Sequence, residues 1–113
     1  MDAKTCFKLD AEALKDKIPT PDGEPFHVGL ERGQLWVELY CPEHEDRQRP
    51  HDRDECYVVV EGEGRFQMGG DVVPFKPGDF FFVPAGVEHR FLDFGQRMAT
   101  WVIFYGPDGG ERP

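Results

Sequence analysis

Closely spaced turn residues limit what this chain can fold into. The 113 residues include 13 glycines and 10 prolines, which divide the sequence from Phe26 onward into short segments. Those segments are rich in aromatic and β-branched residues, which favour strands. Only Asp10–Lys17 has a helical pattern, with Asp10 as the expected N-cap and Pro19 as the stop. The pattern predicts an all-β protein with a single domain, either a sandwich or a small barrel.

About eight short strands are expected, since turn residues bound each apolar run. They cover Phe26–Glu31, Gln34–Cys41, Glu55–Glu61, Arg65–Met68, Val72–Phe75, Asp79–Val83, Val87–Phe94 and Met98–Tyr105. Residues 26–106 would form the barrel and residues 1–25 an N-terminal arm with one short helix. Residues 107–113 would form a loose tail rich in glycine and proline.

The charge and the cysteines of the chain bear on its partners and location. There are 22 acidic against 13 basic residues, a net charge of −9. Binding to a nucleic-acid backbone needs a basic face, so we expect no nucleic-acid partner. No run approaches the roughly 20 apolar residues of a membrane span, and Met1–Leu14 lacks the apolar segment of a secretion signal. The three cysteines lack CxxC spacing and are odd in number, which favours a reduced, cytoplasmic protein.

The stretch His51-Asp52-Arg53-Asp54-Glu55 carries the strongest indication of a site. An imidazole and a carboxylate stand four residues apart at the start of a β-prone run, a spacing that directs both to one face of an extended chain. Burying such a pair is costly unless something satisfies it. A metal ion would do so, and a second histidine, His89, lies in a similar setting further along. Arg53 either lies in a bend before a strand that begins near Glu55, or points inward to meet an anion.

Two gapped patterns resemble the signature motifs of the cupin superfamily. The first is His51-x3-Glu55 followed by Glu61-Gly62-Glu63-Gly64, and the second is Gly78-x5-Pro84-x-Gly86-x2-His89-x3-Asp93. The second match is the more specific, because five defined positions fall at the family's spacing. The resemblance spans Pro50–Asp93. It implies a small, single-domain cupin-type jelly-roll β-barrel in which His51, Glu55 and His89 bind a metal.

Two positions depart from the family's pattern. Arg49 stands where a first histidine is common, and Asp93 stands where asparagine is frequent. Arginine stays protonated and cannot bind a cation, so three of the usual four ligands remain. The alternative to a metal site is a barrel in which His51 and Glu55 hydrogen-bond each other. Arg49 or Arg53 would then neutralise the carboxylate.

Two imidazoles and one carboxylate form a ligand set typical of non-haem Fe(II) sites, which leave positions open for substrate and O2. Catalytic zinc uses the same set, and manganese and nickel are further alternatives. The expected cofactor is therefore a divalent metal ion, with Fe(II) preferred. Tyr57 and Asp93 are the candidate catalytic acids or bases. Strand alternation also selects candidate pocket walls, namely Tyr57, Phe91, Trp36 or Tyr40, and Trp101 or Ile103.

Two functions remain open from the sequence. The first is a metal-dependent, dioxygenase-like enzyme that acts on a small organic molecule. The second is a non-catalytic module for a small anionic metabolite, in which Arg49 and Arg53 would bind a carboxylate. Either function implies a small-molecule ligand. The segment Leu35–Cys41, which has large residues on both faces, would pair two copies into a homodimer, an assembly similar to that of many small cupins.

Overall fold

The computed structural model describes residues 4–113, which form eight strands and one short helix. In chain order the elements are α1 (Ala11–Lys15), β1 (Phe26–Arg32), β2 (Leu35–Tyr40), β3 (Asp54–Glu61), β4 (Gly64–Met68), β5 (Asp71–Phe75), β6 (Phe80–Val83), β7 (His89–Leu92) and β8 (Ala99–Tyr105). Every predicted strand is present, with its ends shifted by two residues or fewer. No helix within this described range is long and apolar enough to cross a membrane.

Two antiparallel sheets pack face to face, which confirms the all-β jelly-roll. The larger sheet has the strand order β1-β2-β8-β3-β6, and the smaller has the order β5-β4-β7. Tyr57, Phe66 and Phe91 are buried between the sheets. The rings of Phe66 and Phe91 lie 4.3 Å apart between centroids, and those of Tyr57 and Phe91 lie 5.3 Å apart edge to face. Complete burial of one such side chain contributes about 1.5–3 kcal/mol, so this aromatic core fixes the two sheets against each other.

The register of the larger sheet aligns inward-facing side chains in rows across β2, β8 and β3. One row is Trp36, Phe104 and Glu55, and the next is Glu38, Val102 and Tyr57. The register also decides between the predicted pocket walls. Trp36 and Tyr40 both face inward, whereas Trp101 and Ile103 face outward.

The N-terminal arm packs against the outer face of the larger sheet, apart from residues 1–3, which lie outside the described residues. Asp10 caps α1 by accepting hydrogen bonds from the N–H groups of Glu12 and Ala13. Leu14 and Ile18 are buried in a cluster with Leu39, Cys41 and Ala99. The arm therefore covers part of the strand face that the homodimer prediction uses, and the homodimer stays a prediction.

The C-terminal segment 107–113, whose looseness stays a prediction, forms hydrogen bonds with the beginning of β3. The N–H of Gly109 donates to the carbonyl of Asp52 at 2.6 Å, and the N–H of Glu111 donates to the carboxylate of Asp54 at 2.8 Å. Asp54 is buried and also accepts from the N–H of Ala85 at 2.9 Å. A buried carboxylate needs such donors, and the segment supplies one of them.

Gly64, in the motif that follows β3, gives a test of how closely β4 and β7 approach each other within the smaller sheet. A Cβ at this position would lie 2.5 Å from the carbonyl oxygen of Leu92 and 2.9 Å from that of Asp93, and neither backbone group can move easily. We expect Gly64→Ala to lower the free energy of unfolding by about 1–3 kcal/mol, measured by urea denaturation. Gly70→Ala is the matched control, because a Cβ at Gly70 would meet no atom within 4 Å. Equal urea midpoints for the two variants would show that the backbone at Gly64 is not in close contact with the carbonyl groups of Leu92 and Asp93.

Candidate metal centre

His51, Glu55 and His89 converge at one end of the barrel. His51 precedes β3, Glu55 is the second residue of β3, and His89 begins β7 in the other sheet. One ligand atom from each lies within 4.8 Å of the other two. Nε2 of His89 is 3.0 Å from Oε1 of Glu55, and Nε2 of His51 is 3.8 Å from Oε2. The structure thus brings together the three residues that the sequence selected, and we call them the three-residue cluster.

The tautomer of His89 directs a lone pair into the cluster. Nδ1 of His89 lies 2.9 Å from the carbonyl oxygen of Val87, which can only accept, so Nδ1 carries the proton. In the neutral ring Nε2 then has a lone pair that faces a carboxylate oxygen of Glu55, and the two acceptors repel each other unless a proton or a cation lies between them. Within residues 4–113 the buried Nε2 atoms of His89 and His51 have no hydrogen-bond partner. These unpaired nitrogen atoms fit a metal ligand set.

The Glu55 carboxylate affects the two histidines differently. Burial lowers the pKa of His89, but the close contact of its ring with the Glu55 carboxylate and the charge of that carboxylate outweigh burial, so this pKa lies above its ordinary value. In His51 burial outweighs the attraction of Glu55, and the pKa is lowered. The two shifts run in opposite directions, so in the absence of a cation a proton is held more readily by His89 than by His51.

A buried chain of hydrogen bonds leads to the carboxylate of Glu55 and fixes its orientation. The hydroxyl of Tyr57 lies 3.0 Å from Oε2 of Glu55 and 2.8 Å from Oε1 of Gln48, so either oxygen can accept its proton. Nε2 of Gln48 donates to Oδ2 of Asp46 at 2.7 Å. Contacts of this kind orient a metal-binding carboxylate. The chain of contacts therefore runs from Asp46 through Gln48 and Tyr57 to the cluster.

Asp46 holds its own loop against both sheets. Its side chain is 1% exposed and accepts hydrogen bonds from the hydroxyl of Tyr40 at 2.5 Å and from the N–H of Phe91 at 2.9 Å. The sequence indicated only a solvated connection across Pro42–Pro50. Asp46 has no periodic pattern that distinguishes it from the other charged residues of this loop, so sequence reasoning missed both it and Gln48.

The two predicted catalytic residues lie in different places. Tyr57 is fully buried and contacts the cluster through Glu55. Burial, followed by the charge of Glu55, raises the pKa of Tyr57 well above its ordinary value, so its hydroxyl keeps its proton and orients Glu55. Asp93 is exposed and does not reach the cluster, a correction to the prediction. The chain turns after Leu92 into a left-handed conformation at Asp93 (φ 55°), and the carboxylate of Asp93 accepts from Nε of Arg65 at 2.7 Å.

The two arginines near the cluster also differ in position. Arg49 is exposed. Arg53 lies in the bend before β3, its guanidinium is 5.8 Å from the centroid of the Phe104 ring, and it donates to the carbonyl of Gln34. Among the described residues neither arginine forms an ion pair with Glu55. The structure therefore gives no support to the alternative in which an arginine neutralises that carboxylate.

A cavity of about 890 Å³ opens beside the cluster, with His51 on its wall. Its other walls include the inward-facing residues Phe26, Trp36, Glu38, Tyr40, Val102 and Phe104, the guanidinium-bearing Arg53, and Pro19, Gly23 and Pro25 of the arm. Nε1–H of Trp36 donates to Glu38 at 2.9 Å. Burial, which outweighs this hydrogen bond, raises the pKa of Glu38 to about 7. Sequence reasoning missed Glu38, although its alternation with Trp36 and Tyr40 was a usable signal.

Comparisons with known proteins agree with this geometry. Residues 36–105 match the family model described as the cupin domain. An uncharacterized protein of Streptomyces coelicolor is 35% identical over 104 residues, which cover 90% of this chain and 96% of that protein. An acireductone dioxygenase of Leishmania major is 29% identical over 79% of this chain, but the match spans only 29% of that enzyme. A Klebsiella pneumoniae protein with a double-stranded β-helix domain superposes with a TM-score of 0.70 and 20% identity, over 89% of this chain and 90% of that one.

Asp46 provides a test of the hydrogen-bond chain. In Asp46→Asn one acceptor oxygen becomes an amide donor, which would face the donors of Tyr40, Gln48 or Phe91. We expect a loss of about 1–3 kcal/mol in the free energy of unfolding, measured by urea denaturation. Asp71→Asn, at an exposed position, is the control and should unfold like the wild type. An Asp46→Asn protein as stable as the control would show that these contacts do not support the loop.

Proposed function

The chain belongs to the cupin family, and from this premise we propose that it is a small metal-dependent oxygenase acting on a small organic substrate. His51, Glu55 and His89 would hold a divalent ion, with Fe(II) preferred and zinc, manganese or nickel as alternatives. The observation that carries this proposal is the buried Nε2 of His89. Its lone pair is directed at Glu55 by the bond to Val87, and it has no hydrogen-bond partner within residues 4–113.

The donor set fits the proposed ion. Two imidazole nitrogens and one carboxylate oxygen are the ligands of non-haem Fe(II) oxygenases, and they leave positions free for a substrate and O2. Bound iron would supply the activation of O2. The chain itself fixes the ligands: Val87 sets the tautomer of His89, and Tyr57 holds the carboxylate of Glu55. The likeness to an acireductone dioxygenase supports oxygen chemistry as the class of reaction.

The cavity suits a small organic substrate. A volume of about 890 Å³ lies in the range of pockets that bind small molecules. Trp36, Tyr40 and Phe104 give it apolar, aromatic walls, and His51 connects it with the cluster. A substrate in this cavity would lie beside the ion, shielded from most of the solvent.

A second function, binding of a small anionic metabolite without catalysis, is favoured by Arg53. This arginine lies on the cavity wall and forms no ion pair among residues 4–113, so it could receive a carboxylate. Arg49, which the sequence offered for the same role, is exposed and is not among the residues that line the cavity.

Metal content after single substitutions tests the proposed ligands. We expect His51→Ala and His89→Ala to lower metal affinity by at least about tenfold, since each removes a donor atom. The protein would be purified without chelator and its bound metal measured by element analysis. His27→Ala, a histidine substitution on β1 outside the cluster, should keep the metal content of the wild type. Equal metal content in all four proteins would overturn the proposal.

Metal binding should also weaken as the pH falls. A proton and a metal ion compete for Nε2 of His89, and the raised pKa of His89 moves this competition to a higher pH than for an ordinary histidine. Below that pKa we expect the apparent zinc affinity to fall about tenfold per pH unit, as one proton is displaced. Zinc titration calorimetry at a series of pH values measures the slope. A constant affinity from about pH 8 to 5.5 would contradict the role of His89.

A further inference from the structure

Glu38 is a carboxyl group on the wall of the cavity that His51 of the three-residue cluster also lines. It lies on β2, in the row that continues through Val102 to Tyr57 on β3, and the adjacent row ends at Glu55. Neighbouring strands are about 4.8 Å apart, so two strand spacings put the backbone of Glu38 about 10 Å from that of Tyr57. Glu38, Val102 and His51 all line the cavity, so the space over Val102 can hold a small molecule between Glu38 and His51 of the cluster.

Among the described residues Glu38 has no ion-pair partner. Its carboxylate accepts from Nε1–H of Trp36. Burial, together with the negative charges of Glu55 and Glu24, raises its pKa to about 7. The same cavity is lined by other charged or titratable side chains, namely His51, Arg47, Arg53, Tyr40, Cys41, Glu43, Glu45, Asp52 and Asp108.

The fold itself gives no reason for a carboxyl at this position. Asp46 and Asp54 are buried because their carboxylates satisfy backbone N–H groups, whereas Glu38 accepts only from the indole of Trp36 among the described residues. A half-buried carboxylate without a cation costs free energy. Such a group in a cavity is typical of a functional residue that exchanges protons.

We propose that Glu38 accepts the proton of a hydroxyl-bearing substrate, an enol, phenol or catechol, bound between Glu38 and the cluster. This inference rests on the proposed function, which locates the substrate in the cavity. The O–H bond of the substrate breaks and an O–H bond forms on Glu38, so the negative charge moves from Glu38 to the substrate oxygen. No oxidant or further reactant is needed. The neutral acid then donates a hydrogen bond inside the cavity.

Proton release on ligand binding tests this step without any turnover. Zinc-loaded protein would be titrated with catechol at about pH 8, where Glu38 is largely ionised, in buffers of different ionisation enthalpy. We expect the wild type to pass almost no proton to the buffer, because Glu38 takes the proton and a charge-assisted hydrogen bond to the substrate oxyanion beside it holds the proton there. Glu38→Gln should keep its zinc, release about one proton per catechol and bind catechol about tenfold more weakly. Glu31→Gln, at an exposed position on β1, is the control and should match the wild type.

Further measurements separate this inference from the proposed function. Glu38→Asp keeps a carboxylate, so this variant should still take up the proton while binding catechol more weakly than the wild type. It replaces Glu38→Gln in the comparison if Glu38→Gln fails to fold. A wild type that binds no zinc would overturn the proposed function and this inference together. A zinc-loaded wild type that binds neither catechol nor the enol acetylacetone, or that releases as many protons as Glu38→Gln, would overturn the inference alone.

Discussion

The contact between Glu55 and His89 is the interaction on which this site depends. It joins β3 of the larger sheet to β7 of the smaller one over 3.0 Å, with both side chains 1% exposed. Such a pair is costly to bury unless a proton or a cation lies between the two groups. The barrel meets this cost at a polar contact between its two sheets. The site is therefore part of how the two sheets fit together, and not an addition to a finished core.

Around this contact the protein combines an aromatic core with a buried chain of hydrogen bonds. Phe66 and Phe91 exclude water from the barrel interior, while Asp46, Gln48 and Tyr57 carry hydrogen bonds through it to Glu55. In a water-poor interior each of these bonds is strong, and each unpaired group is expensive. The same arrangement that stabilises the loop before β3 thus also fixes the direction of a carboxylate.

The sequence predicted the strands and the three-residue cluster because both depend on local spacing: turn residues bound the strands, and motif positions mark His51, Glu55 and His89. It missed Asp46 and Gln48 because a loop has no periodicity to show which charge is buried. The prediction for Asp93 was wrong because a turn in backbone conformation directs it to Arg65. The hydrogen bonds of the tail were also beyond the reach of the sequence, since they come from backbone N–H groups, which every residue except proline has.

The N-terminal arm makes two kinds of contact. Leu14 and Ile18 pack against the outer face of the larger sheet. Pro19, Gly23 and Pro25 line the cavity. One part of the cavity wall is thus supplied by a segment that contributes nothing to the cluster, which belongs to β3, β7 and the bend before β3. A change in the arm can reshape this wall while the groups that would carry out the chemistry keep their geometry. Selectivity and reactivity are in this sense separately adjustable in one small barrel.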